Sequence, residues 1–177
     1  MHRPLIIAAV ETRPGWGRVM ISCCPGRTDM DHELTLDIDS LLRAGASAVV
    51  TLTEQDELEE LEVPGLGQAV REAGMQWFHL PIFDYGAPNA DWERRWLEQG
   101  PRVRAILRDG RSVHLHCRGG CGRSGMLAAR LLVELGVCDG AEAIRRVRFA
   151  RPCAIETEGQ VTNVLAARPQ DDSRAVR

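Results

Sequence analysis

Apolar and polar positions along the chain follow two periods, and the changes between them mark out the elements. Residues 4–10 and 18–22 are short apolar runs around the turn "RPGWG", which predicts two strands joined by a reversal. In "TDMDHELTLDIDSLLRAG" the leucines and Ile38 recur at helical spacing. Thr28, Asp29 and Asp31 are its candidate N-caps, and Gly45 stands where a helix ends in left-handed backbone. "SAVVTL" predicts a buried strand, and after Thr53 the stretch "EQDELEEL" predicts a small acidic helix with Asp56 near capping-box spacing. "VPGLGQAVREAG" reads as a helix stopped by glycine, "MQWFHLPI" as a strand, and "FDYGAPN" as a loop. Residues 89–109 are helical, with an interruption expected at Gly100-Pro101 because proline lacks the N–H that a helix interior needs. "SVHLH" is the last strand. From Ser124 to Leu135 the chain is apolar nearly all round, with Arg130 and Glu134 as one narrow polar stripe, the pattern of a buried helix. Two more helices, about 140–150 and 156–167, precede a tail, "RPQDDSRAVR", that is polar and expected to fray.

Strands alternating with helices imply an α/β fold: a single domain with a central, mostly parallel sheet flanked by helices. The domain is expected over residues 1–169, with 170–177 as a polar C-terminal tail. Ligands in such sheets bind beyond the carboxyl ends of the strands, and the turn after "SVHLH" stands at such an end. Composition changes this picture little. The chain has 177 residues, is 44% hydrophobic and 27% charged, and carries a net charge of −3, so neither nucleic acid nor an acidic membrane is an expected partner. All 22 basic residues are arginine, which reads as a GC-biased genome. The six cysteines, at 23, 24, 117, 121, 138 and 153, are irregularly spaced and do not read as a disulfide framework. They also lack zinc-ligand spacing, and no metal is expected. The apolar run Leu5 to Val10 is too short for a signal segment or a membrane span, and a reduced, cytoplasmic setting is the expectation.

The chemistry gathers in "HLHCRGGCGRSG", residues 114–125. A strand, a glycine-rich turn and a buried helix in that order build an anion cradle: turn N–H groups point inward, the helix N-terminus adds partial positive charge, and glycine permits the backbone angles. Arg123 can grip two phosphate oxygens with its planar fork. Cys117 sits at the cradle floor, and a field that holds a dianion also favours a thiolate. The turn can therefore hold a phosphate against a nucleophilic sulfur.

With its Cys-x5-Arg-Ser pattern, "HCRGGCGRSG" resembles the signature of the cysteine-dependent protein-tyrosine phosphatase superfamily. "SCCPGRTD", "VVTLTEQDEL", "HLPIFDYGAP" and "RPCAIETEGQ" extend the resemblance to the compact dual-specificity type, the group of kinase-associated phosphatase and its bacterial relatives. The resemblance implies a metal-independent phosphomonoester hydrolase that needs no cofactor. Cys117 would form a phosphocysteine, Arg123 would bind the phosphoryl oxygens, Ser124 would donate to the departing sulfur, and Asp84 would be the general acid. His116 would support the loop, Gln160 would position water, and Arg118, Gly119, Gly120, Cys121 and Gly122 complete the expected phosphate-binding loop. The partner implied is a phosphoprotein, phosphorylated on tyrosine and also on serine or threonine, met by a monomer.

Other readings stay open on residues alone. Cys121 and Cys153 are packing side chains or, for Cys121, a redox partner across the loop; Arg118 enriches the field or is simply solvated. Tyr85 and Trp92 line a cleft or belong to the core, and Asp91 is either an alternative acid or an N-cap. His79 and His114 read as satisfied strand histidines. Competing functions are a phosphatase for phosphoinositides or other small phosphates, a non-catalytic phosphate-binding module, and a thiol-dependent arsenate reductase, which would need a resolving cysteine.

Overall fold

A computed structural model describes residues 3–174; residues 1–2 of the expected domain and 175–177 of the expected tail lie outside the described residues. Five strands form one sheet in the order β1-β2-β5-β3-β4: β1 (Ala8–Val10), β2 (Val19–Ser22), β3 (Ala46–Thr51), β4 (Gln76–His79) and β5 (Ser112–His116). Only the edge pair β1–β2 is antiparallel, as the short turn between them requires. The other pairs are parallel.

The inner strands alternate their side chains between two cores. Val19, Ile21, Ala48, Val50, Val113 and Leu115 face one core, while Met20 and Val49 face the other. The larger core packs against α4 (Ala90–Arg108), α5 (Gly122–Glu134), α6 (Gly140–Ala150) and α7 (Glu158–Ala166). The smaller packs against α1 (Leu34–Arg43), α2 (Gln55–Glu60) and α3 (Leu66–Glu72). Helix α5 runs through the larger core with nearly every residue buried, as its all-round apolar sequence predicts. Burial on both faces explains why the strand sequences read as continuous apolar runs.

Three expectations need correction. Gly100 and Pro101 do not interrupt α4, which is continuous. Trp92 and Trp96 before the proline, and Val103, Ile106 and Leu107 after it, are all buried, so packing on both sides holds the helix across the missing hydrogen bond. The candidate caps Thr28, Asp29 and Asp31 do not start α1. They lie in or beside a 3-10 turn, Thr28–Met30, and α1 begins at Leu34 with no side-chain cap. Asp37 draws the preceding chain inward, accepting from the Gly26 N–H at 2.8 Å and pairing with His32 at 3.1 Å.

The described part of the tail is docked instead of frayed. Asp172 accepts a bidentate fork from Arg104 at 2.7 and 2.8 Å and a further bond from Arg108, while the Gln170 N–H donates to the Glu134 carbonyl at 2.8 Å. Arg104 also binds Glu134, as do Arg130 and the Trp96 indole, so the polar stripe of α5 is the centre of a buried ionic cluster. Composition suggested fraying because a charged tail has no apolar face; its docking partner is a charge already buried on another helix.

The Arg104 hydrogen bonds hold the Asp172 carboxyl below the usual aspartate range, against an opposing effect of burial. Its contribution to stability is thus complete above the ordinary aspartate value of about 3.9 and lost as pH falls through the depressed one. Asp172→Asn should cost about 2 kcal/mol at pH 7, less than a full buried-pair loss because Glu134 still neutralises Arg104. Urea unfolding of both proteins at pH 7 and at steps down from pH 4 checks this: the gap should narrow as pH falls below about 4, and an equal gap throughout would remove the carboxylate from the explanation.

Candidate active site

The carboxyl ends of β5 and β3 and the N-terminus of α5 meet at a cavity of about 210 Å³ lined by Arg27, Asp84, Tyr85, Cys117, Arg118, Gly119, Cys121, Arg123 and Glu156. Cys117 follows directly on β5 and is buried, with Sγ 3.4 Å from the Ser124 hydroxyl. The loop after it turns at Gly120, where φ is +70° and a Cβ would overlap the Ser22 and Cys23 backbone. Both conditions demand glycine. Gly122 is similarly confined, by Glu156 and Gln160.

Arg123, in the first turn of α5, is only 2% exposed and is fixed before any ligand arrives. Its two terminal nitrogens donate to the two Glu57 oxygens at 2.7 and 2.8 Å, and Nη1 also reaches the Ile82 carbonyl at 2.9 Å. Burial opposes the guanidinium charge, but Glu57 and the surrounding negative groups more than offset it. For Glu57, burial pushes the carboxyl up, and the bonds from Arg123 and the Glu54 N–H bring it net below its ordinary range. Glu57 was not singled out from sequence, although its signal is there. It is the N3 member of a capping box whose N-cap is Glu54, one residue from where Thr53 was expected to open the helix.

Asp84 stands half-exposed at the cavity mouth, 2.9 Å from Arg123 Nη2. Its loop is closed by Tyr85 in left-handed backbone, φ +57°, and is tied down from α7. The Gln160 amide donates to the Gly86 carbonyl at 3.1 Å, and Thr157 donates to the Tyr85 carbonyl at 3.3 Å. Gln160 is fully buried, and its Oε1 accepts from the Glu156 N–H at 2.8 Å. Its amide thus bridges the Asp84 loop and the α6–α7 connection, and the cavity on this side is lined by Glu156, a residue the sequence reading passed over.

His116 is wholly buried, with Nε2 2.8 Å from the Thr51 hydroxyl; loss of solvation pushes its pKa down to about 3. It is neutral at ordinary pH and unsuited to act as a base. His114 is similarly depressed by burial and pairs with Ser22 at 2.8 Å, and His79 bonds the Thr53 carbonyl at 2.9 Å. Arg118 lines the cavity but shares its charge with Glu60 at 2.9 Å. Tyr85 is exposed at the mouth, whereas Trp92 is core, stacked on Trp96. Asp91 lies away from the cavity, paired with Arg94, and the N-cap of α4 is Asn89. Among the described residues no group of three or more His, Cys, Asp or Glu could hold a metal ion, and no helix is long and apolar enough to cross a membrane.

The expectation that all six cysteines are unpaired fails for one pair. Cys121, in the glycine-rich turn, forms a disulfide with Cys153, and the nearby Cys117 stays free. Packing of the α6–α7 connection on α5 brings the two together: the Ile155 N–H donates to the Cys121 carbonyl at 3.3 Å, and the lack of a side chain on Gly125 admits Ala154. Loop-closure entropy over a separation of 32 residues puts the stabilisation at about 4 kcal/mol. Cys153→Ser should lower the urea midpoint accordingly and abolish its sensitivity to reductant; an unchanged midpoint would mean that the bond does not form in solution.

Comparisons with known proteins agree with this geometry. A family model described as "Polymorphic toxin system, DSP-PTPase phosphatase" matches residues 24–137. Cyclin-dependent kinase inhibitor 3 of Rattus norvegicus is 31% identical over 109 residues, 60% of this chain and 49% of that protein, so the chain spans about half the length of the curated relatives it matches. Among solved structures, kinase associated phosphatase with its catalytic-site cysteine substituted by serine superposes with a TM-score of 0.80 at 25% identity, covering 93% of this chain and 94% of that one. Tk-PTP in the active form gives a TM-score of 0.68 at 31% identity, covering 89% and 95%. A sulfur at the end of a parallel strand, a pinned arginine six residues on, and these matches lead to one conclusion: the chain belongs to the dual-specificity-type protein-tyrosine phosphatase (DSP-PTPase) family.

Proposed function

We propose that this chain hydrolyses phosphomonoesters through a phosphocysteine, acting on phosphotyrosine and also phosphoserine or phosphothreonine in proteins. The observation that carries the reading is the pinned Arg123 fork beside the free, buried Cys117 sulfur in one small cavity. Such a site cradles a tetrahedral dianion and sets phosphorus against sulfur, with no reorganisation of the charged group when the substrate binds.

In the first step the Cys117 thiolate attacks phosphorus, a P–S bond forms and the P–O ester bond breaks. Asp84 gives its proton to the leaving oxygen, and Arg123 stabilises the equatorial oxygens. In the second step a water attacks phosphorus, Asp84 takes the water's proton, and sulfur leaves as thiolate with the Ser124 hydroxyl donating to it. Inorganic phosphate departs. His116, neutral and buried, holds the end of β5, and Gln160 keeps the Asp84 loop in place. Substrate entry displaces Asp84 from Arg123, so the dianion takes over the contact the carboxylate makes in the free protein.

An aryl substrate is favoured by the mouth itself. Tyr85 lines the cavity next to Asp84 and is 64% exposed, so its ring can pack on a phenyl group. The partner is accordingly a phosphoprotein.

Cys117→Ser should abolish turnover yet retain the cradle, so a phosphotyrosine peptide should be bound without release of phosphate. Substantial residual hydrolysis in the purified variant would defeat the mechanism, and faster turnover of a phosphoinositide than of the peptide by the wild type would redirect the substrate assignment. Asp84→Asn should slow phosphotyrosine hydrolysis by about 10²-fold or more but slow an activated aryl phosphate much less, because a good leaving group needs no proton. Equal losses on both substrates would show structural damage in place of a missing acid.

A further inference from the structure

The carbonyl oxygens of three consecutive loop residues are held by two arginines: Arg151, which lies outside the cavity, and Arg27, which also lines it. Arg27 Nη1 donates to the Arg118 carbonyl at 2.8 Å, and the Cys24 N–H adds a second bond at 3.2 Å. Arg151 spans the next two with one fork, Nε to the Gly120 carbonyl at 3.0 Å and Nη2 to the Gly119 carbonyl at 3.1 Å. Arg27 is itself aimed by a bidentate pair with Asp29 at 2.7 and 2.6 Å.

A trans peptide is planar, and its N–H points opposite to its C=O. Fixing the carbonyls of 118, 119 and 120 on the outer side therefore turns the N–H groups of Gly119, Gly120 and Cys121 toward the cavity, which those residues or their neighbours line. All three of these peptides flank or join glycines, where a peptide flip meets little steric resistance. Without an outer partner the loop could expose carbonyl oxygens to the cavity, and a dianion would be repelled.

We propose that Arg151, with Arg27, is a positioning residue that sets the polarity of the phosphate-binding loop, acting on the ligand only through the peptide groups it holds. This rests on the phosphatase reading for its use in catalysis, but not for its geometry. Arg151 does not line the cavity, so any effect on an anion bound there must pass through the loop. Each guanidinium–carbonyl bond also polarises its peptide, which strengthens the N–H on the other side as a donor. The Cys121–Cys153 disulfide ties the same loop to the segment that carries Arg151, so one connection between α6 and α7 delivers both restraints.

The test uses tungstate as the probe and the backbone amide resonances of the whole chain as the readout. In the wild type, tungstate should move the amide signals of Gly119, Gly120 and Cys121 downfield, as donors to an anion. Arg151→Met keeps the aliphatic stem and removes both donors. It should cancel the response at Gly120 and Cys121 while sparing Gly119, weaken tungstate about ten-fold, and lower kcat/KM on an aryl phosphate by about 10²-fold. Arg27→Met should show the complementary pattern, losing the response at Gly119 first. Arg151→Lys, which can reach one carbonyl but not two, should fall between. A folded Arg151→Met protein with wild-type shifts at Gly120 and Cys121 and unchanged tungstate affinity would overturn the proposal; should that variant not fold, the Gly120 and Cys121 responses in Arg151→Lys, which keeps the charge, decide it in the same way. Turnover plays no part in the amide readout. A wild type with the three shifts and no phosphatase activity would defeat the proposed function alone, and an active wild type whose variants keep the shifts would defeat the clamp alone.

Discussion

The buried ion pair between Arg123 and Glu57 is the constraint on which the site is built. A guanidinium that is 2% exposed at the head of an apolar helix would be strongly unfavourable without a carboxylate that meets both arms of its fork. Glu57 can be that partner because α2 is held by its own capping box at the end of β3, and β3 lies beside β5 in the sheet. The Ile82 carbonyl, supplied by the chain leaving β4, completes the arginine's shell. Three consecutive strand ends in the sheet thus each contribute one piece: sulfur from β5, carboxylate from α2 after β3, carbonyl from the segment after β4. A parallel sheet makes this possible because all three strands open on the same side.

Around this fixed cation the remaining restraints divide between the glycine-rich loop and the Asp84 loop. The glycine-rich loop is held at its carbonyls by Arg27 and Arg151 and covalently by the Cys121–Cys153 bond. The Asp84 loop is held from α7 by Gln160 and Thr157. Arg27 apart, both sets of restraints come from the chain around the α6–α7 connection, so the end of the sequence controls geometry at its middle. The docked tail extends the same logic, since Asp172 and Glu134 neutralise Arg104 inside the α4–α5 interface. The histidines on β5 stay uncharged through burial, which leaves the cavity's positive field to arginine and backbone.

Local chemistry was legible wherever it is written in neighbouring residues. The strand, glycine turn and buried helix around Cys117 follow from a short window of sequence, because glycine, the apolar pattern of α5 and the Arg123 spacing act within a few residues of one another. The alternation of strands and helices similarly determined a mostly parallel sheet covered on both faces. Asp84 was recognisable because its loop carries its own turn residues and its segment matches the family pattern.

What needed tertiary structure is whatever depends on residues far apart in sequence. Composition cannot show that Glu57 faces Arg123, that Cys121 meets Cys153, or that Asp172 answers a charge on α4, since each pairing is made by packing of helices on a sheet. The helix across Pro101 is continuous for the same reason: aromatic and aliphatic anchors on both sides outweigh one missing hydrogen bond. Gln160 makes the point most directly. The family resemblance implied its place near the water, but only the fold shows its partners: a backbone N–H at one end of the amide and a backbone carbonyl at the other. Sequence by itself determined which chemistry the loop can do; only the fold decided which way the peptides and side chains around it face, because direction is set by partners that the chain brings together from a distance.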